Sequence, residues 1–416
     1  MHRGVARQNS DIDYPSRKHS GAGRPGGAAG EVMSYSDIVG HHSMVFDRVR
    51  NAAYAKAMEN IITSESRVMD LGAGLGILGL MAAKLGAAEV HLVEPAIPEN
   101  LTAELARHNG LEQVTCHEAT GEALNPDIEV DVILSVFTGN FLLTEDLLPS
   151  LFRARDKFLA PGGKLIPDRA RMVVVPVSAP DEYNKQVKRW DEASAYFTEK
   201  QLPPVDFGPI GAFARNTVYY NAADAFAAKP LANERILEEL DLYTATEAAC
   251  DARVDAVITE GGVCHGWLGW FDARMGEDWL STGPQAPATH WSLAFMPLAQ
   301  PIEVKRGDNI SLELKRPELG EWTWSTRCNL PGATPSQRQS TFLSRPFSPA
   351  DIQKRSQNYQ PTLNNRGEAL QWLLANMTGE LNAGQLARML QENFTGQFPS
   401  LRDAENFVRK QCEDLS

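Results

Sequence analysis

The sequence predicts an α/β protein: a doubly wound parallel sheet, then an antiparallel β-barrel, then a small C-terminal helical module. Three observations carry that expectation. Between residues 68 and 167 short apolar strands alternate with helical patterns. Beyond Pro167 the pattern turns β-rich, with glycine, proline and aspartate between the segments. After residue 365 apolar residues recur only at helical spacing.

In chain order, residues 1–30 contain Gly-Ala-Gly-Arg-Pro-Gly-Gly-Ala-Ala-Gly and almost no large apolar side chain. Such a composition buries too little surface to offset the entropy of ordering, and it reads as a disordered tail. Residues 31–57 place Met44, Val49, Ala53 and Ala57 at helical spacings and read as one helix leading into the first strand. Strands follow at 68–71, 89–93, 114–119 and 130–136, and the run Pro161 to Pro167 reads as a turn and a last strand, so that a first domain spans 31–167. A barrel domain over 168–345 takes strands at 171–177, 252–258, 263–271, 291–296, 302–304 and 310–314, with a polar, partly helical insertion at 179–238. Helices at 368–377, 383–393 and 401–414 complete a module over 366–416, either a small bundle or a winged-helix-like unit. In it Ala383, Leu386, Ala387 and Leu390 share one face, and Ala404, Phe407 and Val408 another.

The chain has 416 residues, 43% of them hydrophobic and 22% charged, which fits a globular protein of two or three domains. No apolar run approaches the roughly eighteen residues that cross a bilayer, and no signal peptide is evident. Cys116, Cys250, Cys264, Cys328 and Cys412 are scattered and lack metal-ligand spacing, so they predict reduced thiols, a cytoplasmic location and no metal site. The net charge of −13 argues against nucleic acid or a membrane as partner and leaves a neutral or basic polypeptide as the easier one.

The richest segment runs from Val68 to Glu94. An apolar strand ends in Asp70-Leu71-Gly72-Ala73-Gly74-Leu75-Gly76, and a helix over 77–85 follows. Glycines there let backbone amides approach a ligand at a helix N-terminus, and an acidic residue ending the next strand can accept from both ribose hydroxyls. The Gly-Ala-Gly-Leu-Gly spacing departs from that of NAD-binding turns and points to S-adenosylmethionine.

These motifs, taken in order over residues 35–315, resemble the protein arginine methyltransferase family. Residues 44–54 look like its cofactor-closing helix, 70–78 its glycine turn, and 135–145 its substrate hairpin. Leu280-Ser281-Thr282-Gly283-Pro284 with Thr289-His290-Trp291 is similar to its barrel loop. The resemblance implies a class I methyltransferase Rossmann-like domain using S-adenosylmethionine, with Tyr35 in the closing segment, Arg50 pairing the cofactor carboxylate, Gly72 and Gly74 backing its methionine part, and Glu94 on the ribose. Glu122 is the candidate for the adenine amine, although the family's glutamate aligns with Gly121. The resemblance also implies a homodimer in which the 179–238 insertion serves as an arm.

One position departs from the family. Its members carry a glutamate at each end of the hairpin, and here the first is Val136; only Glu145 remains. A guanidinium facing a sulfonium in a dry site is repelled by several kcal/mol unless carboxylates neutralise it. The expected acceptor is therefore a neutral nitrogen, histidine imidazole foremost, on a peptide or protein, with Glu145 orienting it and Val136, Phe137 and Trp291 lining the site. Two alternatives stand beside this one: an arginine methyltransferase with a rebuilt carboxylate, Glu31 being the candidate, and a non-catalytic cofactor-binding scaffold. His290 and Asp47 are expected to pair, tying barrel to closing helix.

Overall fold

The computed structural model describes residues 38–125, 127–223, 226–330 and 335–415. The expected tail over 1–30, Glu31 and Tyr35 lie outside them. Two compact units divide between Arg345 and Pro346.

The first unit opens with a 3-10 turn, Ile38–His41, and a helical turn, His42–Val45, before α1 (Arg48–Glu59). The single helix expected over 31–57 is thus broken. Asp47, extended at φ −69° and ψ 90°, stops the chain from running through and caps α1, its Oδ1 accepting from Arg50 N at 2.9 Å. There follow β1 (Arg67–Leu71), α2 (Ile77–Lys84), β2 (Glu89–Val93), α3 (Glu99–His108), β3 (Val114–His117), β4 (Val130–Ser135), α4 (Leu148–Phe158) and β5 (Leu159–Ile166). All five strands pair in parallel in the order β3-β2-β1-β4-β5. The order reverses at β1, so the turns leaving β1 and β4 flank the crevice where ligands of such sheets bind.

Two antiparallel sheets build the barrel half. One orders β7 (Tyr219–Ala222), β13 (Ser292–Val304), β11 (Gly262–Met275), β6 (Arg169–Ser178) and β8 (Lys229–Pro230), with β12 (Asp278–Ser281) on β11 and β9 (Arg235–Asp241) on β6. The other orders β10 (Cys250–Val257), β14 (Asn309–Arg316), β15 (Thr323–Asn329) and β16 (Ser336–Ser340). The insertion, expected to be polar and partly helical, carries helices. Among them α5 (Ala193–Glu199) and α6 (Gly208–Ala214) are joined by non-helical chain over 200–207, and the segment then returns to the sheet as β7, which pairs β13. Trp267, Trp270, Phe271 and Trp291 are all buried, as core aromatics on strands and their flanks usually are.

The second unit holds α7 (Pro349–Gln353), α8 (Asn365–Asn376), α9 (Ala383–Asn393) and α10 (Leu401–Leu415). Ala369, Leu373, Leu386, Ala387, Leu390, Ala404 and Val408 form its core, with Phe407 packed against it, which agrees with the faces read from the sequence except at Ala383, which is exposed at the start of α9. Among its described residues there is no strand, so it is a helical bundle and lacks the wing of a winged-helix unit.

Candidate functional site

The buried strand β1 carries Asp70 and ends at Leu71, and the chain turns through Gly72 at φ +73° and Gly74 at φ +54° into Gly76 at φ +81°, which precedes α2. Only glycine adopts these angles without strain. Space demands glycine too: a Cβ on Gly72 would overlap the Phe137 ring, and one on Gly74 would lie 2.9 Å from His41 Cε1. Across this turn stands Glu94, just beyond β2 and 9% exposed, with Oε2 accepting from Gly74 N at 2.9 Å and Oε1 from Ala96 N at 2.8 Å. Backbone amides thus aim the carboxylate before any ligand arrives.

Arg50 projects from the first turn of α1 and is buried, with Nε and Nη2 donating to Asn51 Oδ1 at 3.0 and 2.8 Å. Tyr54 OH donates to the Ser135 carbonyl at 2.6 Å, which fastens α1 to the end of β4. Asp70 Oδ2 accepts from Gly79 N at 2.7 Å. Burial pushes the Asp70 carboxyl up to about 7, against the opposing pull of the Gly79 amide and the Arg50 charge. A folded pKa above the ordinary carboxyl value of about 4 means that the folded state holds this proton more tightly than the unfolded one. Asp70 therefore contributes stability below that ordinary value and loses it as pH rises to about 7. Asp70→Asn cannot ionise, so its melting temperature relative to the wild type is expected to rise from pH 4 to about pH 7 and then level off. A difference flat across that range in paired thermal melts of the ligand-free proteins would refute the assignment.

The arrangement suits a nucleoside with an amino-acid tail: a preset carboxylate for a diol, a planar guanidinium for a carboxylate, and a turn of glycines between them that brings the backbone close. His41, which the sequence reading passed over, is 4% exposed and belongs to the same lining. Glu122 does not join it. Its carboxylate accepts from Ser150 Oγ at 3.0 Å and from Arg153 Nε at 2.8 Å on the α4 side.

Beyond β4 the hairpin 136–146 forms the other wall. Val136 and Phe137 are half-buried, Phe137 against Gly72, while Glu145 is exposed. Phe141 at φ +50°, Leu142 at φ +65° and Asp146 at φ +56° occupy left-handed backbone that non-glycine residues rarely adopt. Strain of this kind persists only where the surroundings over-determine it. Here the barrel does so. Trp291 Nε1 donates to the Thr138 carbonyl at 2.8 Å, Ser292 N to Asn140 Oδ1 at 2.7 Å, and Trp322 stacks on Phe141 at 5.3 Å between centroids. Trp291 is thus a buried prop behind the hairpin, and its place as a lining residue for substrate is corrected.

The expected pair is present: His290 Nδ1 lies 2.8 Å from Asp47 Oδ2, which also accepts from His290 N at 2.9 Å. Burial opposes the Asp47 charge, but the hydrogen bonds from His290 and from Arg50 N outweigh it and hold the carboxyl below its ordinary value. One aspartate so joins the start of α1 to the barrel loop.

Two family models match consecutive parts of the chain: residues 53–167 match the ribosomal protein L11 methyltransferase (PrmA) model, and residues 168–321 the arginine methyltransferase oligomerization subdomain. The probable histone-arginine methyltransferase CARM1 of Oryza sativa subsp. indica is 32% identical over 289 residues, covering 67% of this chain and 54% of that protein. The chain thus spans about half the length of that relative. Protein arginine N-methyltransferase 2 of Xenopus tropicalis is 30% identical, covering 67% of this chain and 66% of its own length. Among solved structures, the Trypanosoma brucei PRMT1 enzyme-prozyme heterotetrameric complex with AdoHcy superposes with a TM-score of 0.66 at 24% identity, covering 74% of this chain and 99% of that one. The Arabidopsis thaliana protein arginine methyltransferase 10 follows with a TM-score of 0.61 at 24% identity, again over 74% and 99%. The parallel sheet, the barrel and the motifs set between them agree with these matches: the chain belongs to the protein arginine methyltransferase family.

Proposed function

We propose that this protein is an S-adenosylmethionine-dependent N-methyltransferase acting on a side chain of a peptide or protein, with a neutral nitrogen, histidine imidazole foremost, as acceptor. The single observation that carries the acceptor is Val136, half-buried at the hairpin where the family has a glutamate. When bound, S-adenosylmethionine supplies a sulfonium-activated methyl group, and its thioether is the leaving group. Glu94 accepts from the ribose hydroxyls, Arg50 pairs with the carboxylate, and the glycine turn lets the ligand lie close to the backbone. Asp47 and His290 hold the start of α1 against the barrel, so that the acceptor meets the methyl in a fixed geometry. Glu145 accepts the N–H of the acceptor ring and turns its lone pair toward the methyl. Val136 supplies an apolar wall, with Phe137 beside it on the glycine turn.

A second reading is arginine methylation with one hairpin carboxylate; the names of the relatives favour it. A homodimer belongs to the proposal as well. The 179–238 insertion exposes Trp190, Tyr196, Leu202, Val205, Phe207 and Ile210, an apolar face suited to a second copy. The free thiols of Cys116, Cys250, Cys264 and Cys328 suit a reducing cytoplasm.

The deciding experiment supplies the purified protein with S-adenosylmethionine carrying a heavy methyl and a pool of histidine- and arginine-containing peptides, and locates the label by tandem mass spectrometry. Label on histidine supports the first reading. Label on arginine replaces it with the second, and cofactor binding without label in any peptide refutes both.

A further inference from the structure

Arg316, the last residue of β14, is 4% exposed, yet only one of its three nitrogens is matched: Nη2 lies 2.7 Å from Asp146 Oδ1, while the buried Nε and Nη1 have no partner among the described residues. A buried guanidinium so poorly satisfied is a poor way to stabilise a barrel, since an apolar residue of similar volume is commonly neutral or better there. What Arg316 touches explains its presence. Its guanidinium lies 5.2 Å from the Trp322 ring centroid, the same Trp322 that stacks on Phe141. Arg316 and Trp322 together therefore hold both left-handed corners of the hairpin, Phe141–Leu142 and Asp146. Between the corners, the Thr144 hydroxyl donates to the Asn140 carbonyl and lies 2.9 Å from Tyr220 OH. Glu145 directly precedes the clamped Asp146, so the turn that fixes Asp146 also fixes where the Glu145 carboxylate points.

We propose that Arg316 is the positioning residue of the acceptor site: through its ion pair with Asp146 it imposes the left-handed turn that presents Glu145 to the substrate, without taking part in cofactor binding. This rests on the reading of Glu145 given above. The Asp146 backbone stores strain, and the ion pair supplies what holds it; a glycine at that position adopts the same angle unaided.

The test compares Arg316→Met, Asp146→Asn and the double variant Arg316→Met/Asp146→Gly with the wild type. Hydrogen exchange of peptides covering 136–147, calorimetric titration with S-adenosylmethionine, and heavy-methyl transfer to the same peptide pool are measured on each. Arg316→Met is expected to speed exchange in the hairpin by about tenfold and to lower methyl transfer by a similar or larger factor, with cofactor affinity changed less than about threefold. The double variant, which leaves neither an orphaned charge nor a strained non-glycine turn, is expected to recover most of the hairpin protection. Unchanged hairpin exchange in Arg316→Met overturns the proposal. So does a parallel loss of cofactor affinity with no recovery in the double variant, which makes Arg316 a general support of the barrel. Where Arg316→Met does not fold, Arg316→Lys and Asp146→Asn decide the matter through the same change in hairpin exchange. A wild type that transfers no methyl refutes the reading of Glu145, while hairpin exchange still decides whether the clamp exists.

Discussion

Glu94→Ala is expected to lose measurable affinity for S-adenosylmethionine while remaining folded. In the native turn both carboxylate oxygens are already aimed by the Gly74 and Ala96 amides. A ribose diol then meets an ionised acceptor that needs no reorganisation, and hydrogen bonds to such a group contribute roughly 1.5–3 kcal/mol each. Two of them convert to about two to four orders of magnitude in Kd. The alanine variant also leaves the Gly74 and Ala96 amides without their acceptor and loosens the glycine turn. Glu94→Gln separates these effects: its carbonyl oxygen still accepts one bond, so its affinity is expected to fall between wild type and alanine. Titration calorimetry with S-adenosylmethionine and with S-adenosylhomocysteine measures both. Retention of affinity within about threefold in the alanine variant would remove Glu94 from the ribose.

That half of the site was legible because its information is local. An apolar strand, three glycines at fixed spacing and an acidic residue ending the next strand lie within 27 residues, between Val68 and Glu94, and each follows from backbone geometry alone. The Asp47–His290 contact joins residues 243 positions apart, so no periodicity could place it, and only the resemblance of the two motifs brought them together. His41 stayed hidden for a related reason. Its contact with Gly74 depends on the break at Asp47, which the helical spacing of the apolar residues conceals. Acidity near a strand end says nothing about direction, and the pairing of the Glu122 carboxylate with Arg153 appears only in the structure. Arg316 reads in sequence as one more charged residue ending a strand. Its burial, its pairing with Asp146 and the strain it holds in the hairpin appear only once β14 and the hairpin are packed together.

Val136→Glu is expected to move methyl transfer toward arginine peptides and away from the native acceptor. Two unit charges 4 Å apart interact by about 4 kcal/mol at an effective dielectric of 20. A guanidinium brought to a sulfonium carries such a penalty unless carboxylates flank it, and one restored carboxylate offsets an amount equal to roughly three orders of magnitude in rate. The same carboxylate, half-buried at a position now occupied by an apolar wall, is costly beside a neutral imidazole and lowers transfer to it. Val136→Gln provides the control for shape: it fills similar space without charge and is expected to slow the native reaction without gaining arginine activity. Glu145→Gln is the control for orientation, with kcat expected to drop about a hundredfold or more and cofactor affinity unchanged. Quantitative peptide mass spectrometry over the four proteins reads all of these effects at once. If wild type already labels arginine as well as Val136→Glu does, charge at the first hairpin position does not select the acceptor. The single carboxylate of Glu145 would then be sufficient for a cationic substrate, and the methyl would reach the family's usual side chain through a site with half its negative charge.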